Sequence, residues 1–139
     1  MSVLPVIGFR PDVIHCHDWQ TGLVPVYLHD SFQQNEFFWG IKTVMTIHNL
    51  KFQGVWDVKT VQGITGLSDY YFAPDKLEAY KDANFLKGGI VFADAVTTVS
   101  NTYAAAGGSN YENFQMIKEH IPLVLRLGSS HYCLKDFAD

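Results

Sequence analysis

Residues 13–19 read VIHCHDW and residues 43–50 read TVMTIHNL, and in both stretches a short apolar run ends in polar side chains. A buried strand of a parallel sheet is a short run of β-branched residues, because helices cover both of its faces. Polar groups at the carboxyl ends of neighbouring parallel strands lie in the crevice where open α/β sheets bind ligands. The two stretches therefore predict a ligand site formed by adjacent strands.

The other predicted elements complete a parallel α/β pattern. Strands are predicted at 13–16, 42–47 and 95–99, and helices at 20–32, 74–80 and 84–92, with another helix ending within residues 1–9. Residues 50–74, rich in glycine and aromatic side chains, are predicted as a long loop with one short helix, and loops of that length are usually functional. Alternating strands and helices form a parallel sheet with right-handed crossovers.

Composition and charge exclude several classes of function. The net charge is −4 and no basic run is present, which argues against nucleic acid or an anionic membrane as a partner. No apolar run approaches the roughly twenty residues of a membrane span. The two cysteines, Cys16 and Cys133, form no disulfide framework, so a reducing cytosol is expected.

Three segments resemble the amino-terminal domain of bacterial glycogen synthases and plant starch synthases. They are residues 11–23, PDVIHCHDWQTGL, residues 46–54, TIHNLKFQG, and residues 84–100, NFLKGGIVFADAVTTVS. The resemblance implies a GT-B architecture, in which two Rossmann-like domains face a cleft. It also implies a retaining glucosyltransferase that moves glucose from a nucleotide sugar, ADP-glucose, to the non-reducing end of an α-1,4-glucan.

The resemblance divides the chain into three parts. Residues 1–104 are expected to be a fragment of that amino-terminal domain, truncated at both ends, with a partial parallel sheet and flanking helices. Residues 105–109 are predicted to be a small-residue linker, and residues 110–139 an unassigned tail, with a foreign origin as one interpretation. The tail beyond Ser109 is predicted to fold back onto the sheet through its apolar residues at 114–125, because the open edge of the sheet would otherwise invite self-association. The alternative is a tail that is disordered in the monomer or swapped into a neighbouring chain. The chain alone is expected to be inactive.

Five residues are predicted to form the site. The resemblance places His48 beside the donor glucose as the catalytic residue and assigns substrate binding to Asp18, Asn49, Gln53 and Asn84. Helix capping is an alternative for Asp18 and for Asn84, because both precede predicted helices. Asn49 can donate and accept hydrogen bonds, which suits a sugar hydroxyl. Gln53 would contact the acceptor glucan or lie in a solvated loop.

A metal site is one interpretation of the polar residues at the end of the first strand. His15 and His17 share one face of the strand, Cys16 takes the other, and Asp18 follows. A closed zinc site needs four ligands, and no partner lies at a regular spacing downstream, so neither metal nor cofactor is predicted. One histidine is expected to be a hydrogen-bonded core residue and the other to line the cleft. Lys87 is expected on the surface.

Several alternatives stay open. The aromatic residues in the middle of the chain are interpreted as core packing or as a sugar-stacking surface; they are Phe37, Phe38, Trp39, Phe52, Trp56, Tyr70, Tyr71 and Phe72. The chain could also be a structural or binding module without turnover, or a relative of another two-domain glycosyltransferase such as sucrose synthase. The compartment is the cytoplasm, or the plastid stroma if the source is a plant.

Overall fold

The computed structural model of the protein describes residues 1–99 and 132–133, in two sheets of strand order β1-β2-β6-β7 and β3-β5-β4. The strands are β1 Val13–His17, β2 Lys42–Ile47, β3 Val55–Asp57, β4 Glu78–Ala79, β5 Asp82–Asn84, β6 Ala95–Thr98 and β7 Tyr132–Cys133. The helices are α1 Val3–Val6, α2 Leu23–His29, α3 Val58–Thr65 and α4 Phe85–Phe92, with 3-10 turns at Trp19–Thr21, Glu36–Phe38 and Asp69–Phe72.

The larger sheet confirms the predicted α/β class. Strands β1, β2 and β6 are parallel, and their register sets His17 opposite Thr46 and Thr46 opposite Thr97. The three strands therefore end at the same edge of the sheet. All three were predicted from sequence to within one residue at each end, because β-branched runs bounded by polar residues are a strong strand signal.

Helix α4 packs its apolar residues against one face of this sheet. Cys16, Met45 and Val96 face each other across the three strands and form one core cluster with Leu86 and Ile90 of α4. Each such buried side chain stabilises the fold by about 1.5–3 kcal/mol relative to exposure. This cluster fixes the sheet that positions the site.

The glycine pair Gly88-Gly89 lets α4 pack closely against its neighbours. A Cβ on Gly89 would overlap the Met45 methyl group, and one on Gly22 would overlap the Phe85 carbonyl. Glycine is therefore required at position 89, where α4 crosses Met45 of the sheet, and at position 22, where the segment before α2 meets α4. This holds although glycine within a helix costs about 1 kcal/mol relative to alanine.

The predicted helix at 74–80 is wrong. The segment instead forms β4 and the turn of a hairpin, in which β4 and β5 pair antiparallel. Tyr80 and Lys81 both have positive φ, 54° and 74°, as the two-residue hairpin turn requires. Asn-Gly or Asp-Gly usually marks such a turn, and neither is present here.

Other boundaries also differ from the sequence prediction. Helix α2 is shorter than 20–32, since a 3-10 turn precedes it and the helix ends at His29. Pro25 lies in its first turn, where proline is tolerated. The predicted loop 50–74 contains β3, α3 and a 3-10 turn. Within the described residues, no helix has the length and apolar character needed to cross a bilayer.

Only one short element of the predicted tail is described. Strand β7 pairs antiparallel with β6, with Tyr132 opposite Thr98 and Cys133 opposite Thr97. This pairing places residues 132–133 beside β6 at the edge of the sheet. Residues 105–109 and 114–125, the predicted linker and the apolar segment expected to dock, lie outside the described residues.

Lys87 is buried, so the prediction of a surface lysine is wrong. Only 5% of the residue is exposed, and its ammonium group donates to the carbonyl oxygens of Pro74 and Glu78. Both carbonyls belong to the segment that leads into the β4–β5 hairpin. Lys87 therefore ties this segment to α4.

Lys87→Met should destabilise the chain by about 1–3 kcal/mol, because the variant keeps the apolar stem but leaves two carbonyls without their donor. Lys59→Met, on the exposed surface of α3, is the matched control and should change stability by less than about 0.5 kcal/mol. Urea denaturation of both variants measures the difference. Equal stability of the two variants would show that the two hydrogen bonds from Lys87 do not stabilise the fold.

Candidate active site

Asp18 joins the ends of the first two parallel strands. Its Oδ1 accepts hydrogen bonds from the backbone N–H groups of His48, at 2.8 Å, and Asn49, at 3.3 Å. Its own N–H donates to the carbonyl of Thr46 at 3.0 Å. The alternative of a helix cap is wrong, because the side chain makes no capping bond to the turn that follows. Asp18 instead holds the segment that begins at His48.

The backbone of Asp18 is strained. Its φ of 52° and ψ of −170° lie in a region that is otherwise nearly restricted to glycine, at a cost of about 1–3 kcal/mol. Such a conformation persists only where surrounding contacts determine it, and it is concentrated at functional sites. The three hydrogen bonds to β2 and its extension supply those contacts.

His48 meets a histidine from the neighbouring strand. The His48 Nε2 lies 3.0 Å from the Nδ1 of His17, and the His17 ring lies 4.2 Å from the His15 ring, centroid to centroid. His15 in turn hydrogen bonds the Thr46 hydroxyl through Nε2 at 2.6 Å. All three imidazoles are exposed, so His15 is hydrogen-bonded as expected of one histidine but is not a core residue.

Within the described part of the chain, the side-chain amide of Asn49 forms a hydrogen bond through its oxygen only. Its Oδ1 accepts from the backbone N–H of Lys51 at 3.0 Å, which closes a tight turn after β2. Among the described residues, none accepts a hydrogen bond from its Nδ2 group, and the side chain is exposed. The turn therefore presents an amide donor next to the His48 ring.

Gln53 and Asn84 form a second polar group at the far end of the same segment. The Asn84 Nδ2 donates to Gln53 Oε1 at 2.6 Å, and Gln53 Nε2 donates to the Leu50 carbonyl at 3.0 Å. Asn84 Oδ1 also caps α4 by accepting from the Lys87 N–H at 2.9 Å, which confirms the capping alternative. Their predicted contacts with sugar stay predictions.

The segment 48–54 is also bound directly to α4. The first two N–H groups of this helix, those of Phe85 and Leu86, donate to the carbonyls of Gly54 and Gln53, both at 3.0 Å. These are groups that a helix cannot satisfy internally. Gly54 has a φ of 65°, and a Cβ there would overlap the Trp19 ring, so both the backbone conformation and the close contact favour glycine at this position.

A cavity of about 450 Å³ lies beside this segment, between Trp19, Phe52, Gln53 and Trp56. Phe52 is 57% and Trp56 43% exposed. Packing alone therefore does not account for all the aromatic residues of the chain, although Phe38 and Tyr71 are buried. A second cavity, of about 510 Å³, lies at the opposite end of the sheet near Thr43 and Asp94 and is lined in part by His29; it is not lined by His15, His17 or His48.

The Cys16 thiol in β1 is buried and is not activated. Burial raises the pKa of the Cys16 thiol to about 11, against a smaller lowering by the Thr21 hydroxyl, so the thiol is protonated at neutral pH and is a poor nucleophile. Among the described residues, no group of three or more His, Cys, Asp or Glu side chains is arranged to hold a metal ion.

Two site features were missed from sequence. The sequence predicts that the Asp18 carboxylate binds sugar or caps a helix, whereas one of its oxygens accepts hydrogen bonds from the backbone that follows β2. The His17 ring was considered as a metal ligand or a cleft residue, whereas it binds His48. The strand register could have indicated the second contact, because His17 and Thr46 are opposite each other and His48 follows shortly after.

An open parallel sheet with a polar crevice at the carboxyl ends of its strands defines a Rossmann-like ligand-binding domain. The sequence profile of the starch synthase catalytic domain matches residues 1–112. The chain belongs to the starch synthase catalytic domain family.

Curated relatives carry the name glycogen synthase. The enzyme of Lachnoclostridium phytofermentans is 78% identical over 104 residues, which are 75% of this chain and 22% of that protein. The enzyme of Anoxybacillus flavithermus is 43% identical over 131 residues, 94% of this chain and 26% of that protein. The chain thus spans about a fifth to a quarter of the length of these relatives.

A solved structure has the same fold. The catalytic domain of starch synthase IV from Arabidopsis thaliana, bound to ADP and acarbose, matches with a TM-score of 0.72 and 28% identity. The match covers 88% of this chain and 27% of that one.

Asp18→Ala should release the backbone of His48 and Asn49, whereas Asp18→Asn should hold it, because the amide oxygen can still accept both N–H bonds. The cost of the alanine variant is about 1 kcal/mol, comparable to the loss of a helix cap, since water can reach the freed groups. Amide hydrogen exchange at His48 and Asn49 measures the effect directly. Unchanged exchange in Asp18→Ala would show that Asp18 does not hold this segment.

Proposed function

We propose that the chain forms part of the active site of a retaining glucosyltransferase, which transfers glucose from ADP-glucose to the non-reducing end of an α-1,4-glucan. The observation that carries the proposal is the exposed His48-Asn49 pair, held by Asp18 where two parallel strands end. Membership of the family and relatives named glycogen synthase support the reaction class.

The donor sugar would lie against His48, Asn49 and Asp18. The similar starch synthase IV was solved with ADP, which favours an adenine nucleotide sugar. Asn49 offers its Nδ2 donor and Asp18 its second carboxylate oxygen, and sugar hydroxyls can both accept and donate. A hydrogen bond to a charged group contributes about 1.5–3 kcal/mol.

The acceptor glucan would lie along the cavity beside Gln53. The exposed Phe52 and Trp56 side chains line this cavity, and aromatic faces present a large apolar surface against which a sugar ring can pack. Acarbose, named in the starch synthase IV structure, supports saccharide binding within the family.

Transfer with retention needs a well-positioned environment around an oxocarbenium-like centre. Donors fixed before the reaction stabilise developing charge without reorganisation, and fixed orientation removes part of the entropic barrier. His48 and Asn49 meet this requirement because their backbone is held on both sides, by Asp18 and by the turn at Lys51. We place this reaction in the cytoplasm, where a buried, reduced Cys16 is compatible with the environment.

A glucan-binding module without turnover is the second candidate, and the exposed aromatic cavity is the observation that favours it. The two candidates differ in what the rest of the enzyme must supply. A module would bind saccharide alone, whereas an active-site wall needs the remaining part of a full-length synthase.

The 139-residue chain alone should show no transfer from ADP-glucose to glycogen, because it spans about a fifth of the length of its relatives and positioning needs both walls of the cleft. Replacing the aligned segment of the Lachnoclostridium phytofermentans enzyme by the matching 104 residues of this chain should preserve activity. Incorporation of labelled glucose into glycogen measures both. Turnover by the chain alone, or a folded but inactive chimaera, would overturn the proposal.

His48→Ala in that active chimaera should lower kcat and kcat/KM together by roughly a hundredfold or more, as removal of one preorganised group does. His29→Ala, an exposed histidine outside the site, is the matched control and should leave turnover unchanged. Steady-state kinetics and a melting curve are measured on both. Near-normal turnover would reject the role of His48, and a collapsed melting temperature would indicate a structural one.

A further inference from the structure

We infer that His17 is the positioning residue for His48. The inference rests on the proposed function and adds to it a residue that acts through another. The observation is the direct bond between the two rings, His17 Nδ1 to His48 Nε2 at 3.0 Å, with the ring planes 43° apart. It is the one hydrogen bond that the described residues give to the His48 ring.

His17 is itself held from two sides. Its backbone N–H donates to the Thr21 hydroxyl at 2.6 Å, and that hydroxyl donates to the His17 carbonyl at 2.8 Å. Its ring lies against that of His15. The two Thr21 bonds fix the backbone at His17, and the contact with His15 limits how the His17 ring can turn.

The support continues into the buried sheet. His15 bonds the Thr46 hydroxyl, and Thr46 bonds the Thr97 hydroxyl at 2.7 Å. Both threonines are 1% exposed. The series His48, His17, His15, Thr46, Thr97 therefore runs from an exposed imidazole to the rigid centre of the sheet.

The bond has a chemical consequence for His48. Two neutral imidazoles paired through nitrogen share one proton between them, so the position of that proton sets the tautomer of both rings. With Nε2 occupied by His17, the Nδ1 atom is the polar edge of His48 that remains for substrate. His17 thus orients the His48 ring and couples its tautomer to its own: when His17 donates, the Nδ1 of His48 carries a proton and donates, and when His17 accepts, that Nδ1 accepts.

The atom used by His17 gives a sharp test. Asparagine places a polar amide atom near the position of a histidine Nδ1, whereas glutamine places one near Nε2. In the active chimaera, His17→Leu should lower kcat about 10–100-fold, as loss of a supporting partner does, with KM for ADP-glucose changed less than about twofold. His17→Asn should restore most of the activity, and His17→Gln should not.

His29→Gln is the matched control and should behave as wild type. Unchanged kcat in His17→Leu, equal rescue by Asn and Gln, or losses that follow the melting temperature alone would each overturn the inference. An inactive wild-type chimaera would instead count against the proposed function.

A second measurement is independent of activity. In the 139-residue chain, the ring ¹⁵N chemical shifts of His48 report which nitrogen carries the proton. The tautomer ratio of His48 in wild type should differ from that in His17→Leu, because leucine can neither donate to Nε2 nor accept from it, and the ratio in His17→Asn should lie nearer to that of wild type. The same tautomer ratio in all three would overturn the inference even if the chimaera were inactive.

Discussion

The site depends on one carboxylate that bridges two strands. Parallel strands end at the same edge of a sheet, but nothing in the ladder itself fixes the chain beyond the last paired residue. Asp18 does so by accepting two N–H bonds from the residues that follow β2. Its strained backbone directs the carboxylate toward the neighbouring strand instead of the turn that follows. Because such strain is concentrated at functional sites, it is one reason to regard the position as functional.

Helix α4 is the second support, because it holds the other end of the same segment. The helix approaches closely through Gly89, its apolar side is fixed by Met45 and the core, and its first N–H groups bind the carbonyls of Gln53 and Gly54. A single helix thus connects the packing of the sheet to the backbone of the site. Residues of α4 therefore contribute both to the stability of the core and to the geometry of the site.

Local sequence signals predicted the strands and their parallel arrangement, and they offered the Asn84 cap as an alternative, because each depends on patterns of residues close together in the chain. They failed where distant contacts decide the outcome. The local sequence allows the Asp18 side chain to cap the following turn or to face a ligand. Its bonds to His48 and Asn49 depend on the neighbouring strand β2, which lies far away in the sequence. The β4–β5 hairpin was missed because Tyr80 and Lys81 adopt positive φ without the residues that usually mark it. Lys87 was placed on the surface because local sequence does not show that the carbonyls of Pro74 and Glu78 lie against α4.

The anchoring of segment 48–54 at both ends has a thermodynamic meaning. An untethered loop of this length would lose conformational entropy each time a sugar bound, at about 1–2 kcal/mol per residue ordered. Here the backbone is ordered when the domain folds, so that loss is separated from binding and can be offset by the core. A saccharide then meets a surface of fixed shape, and any adjustment to ligands of different length must come from elsewhere in the enzyme.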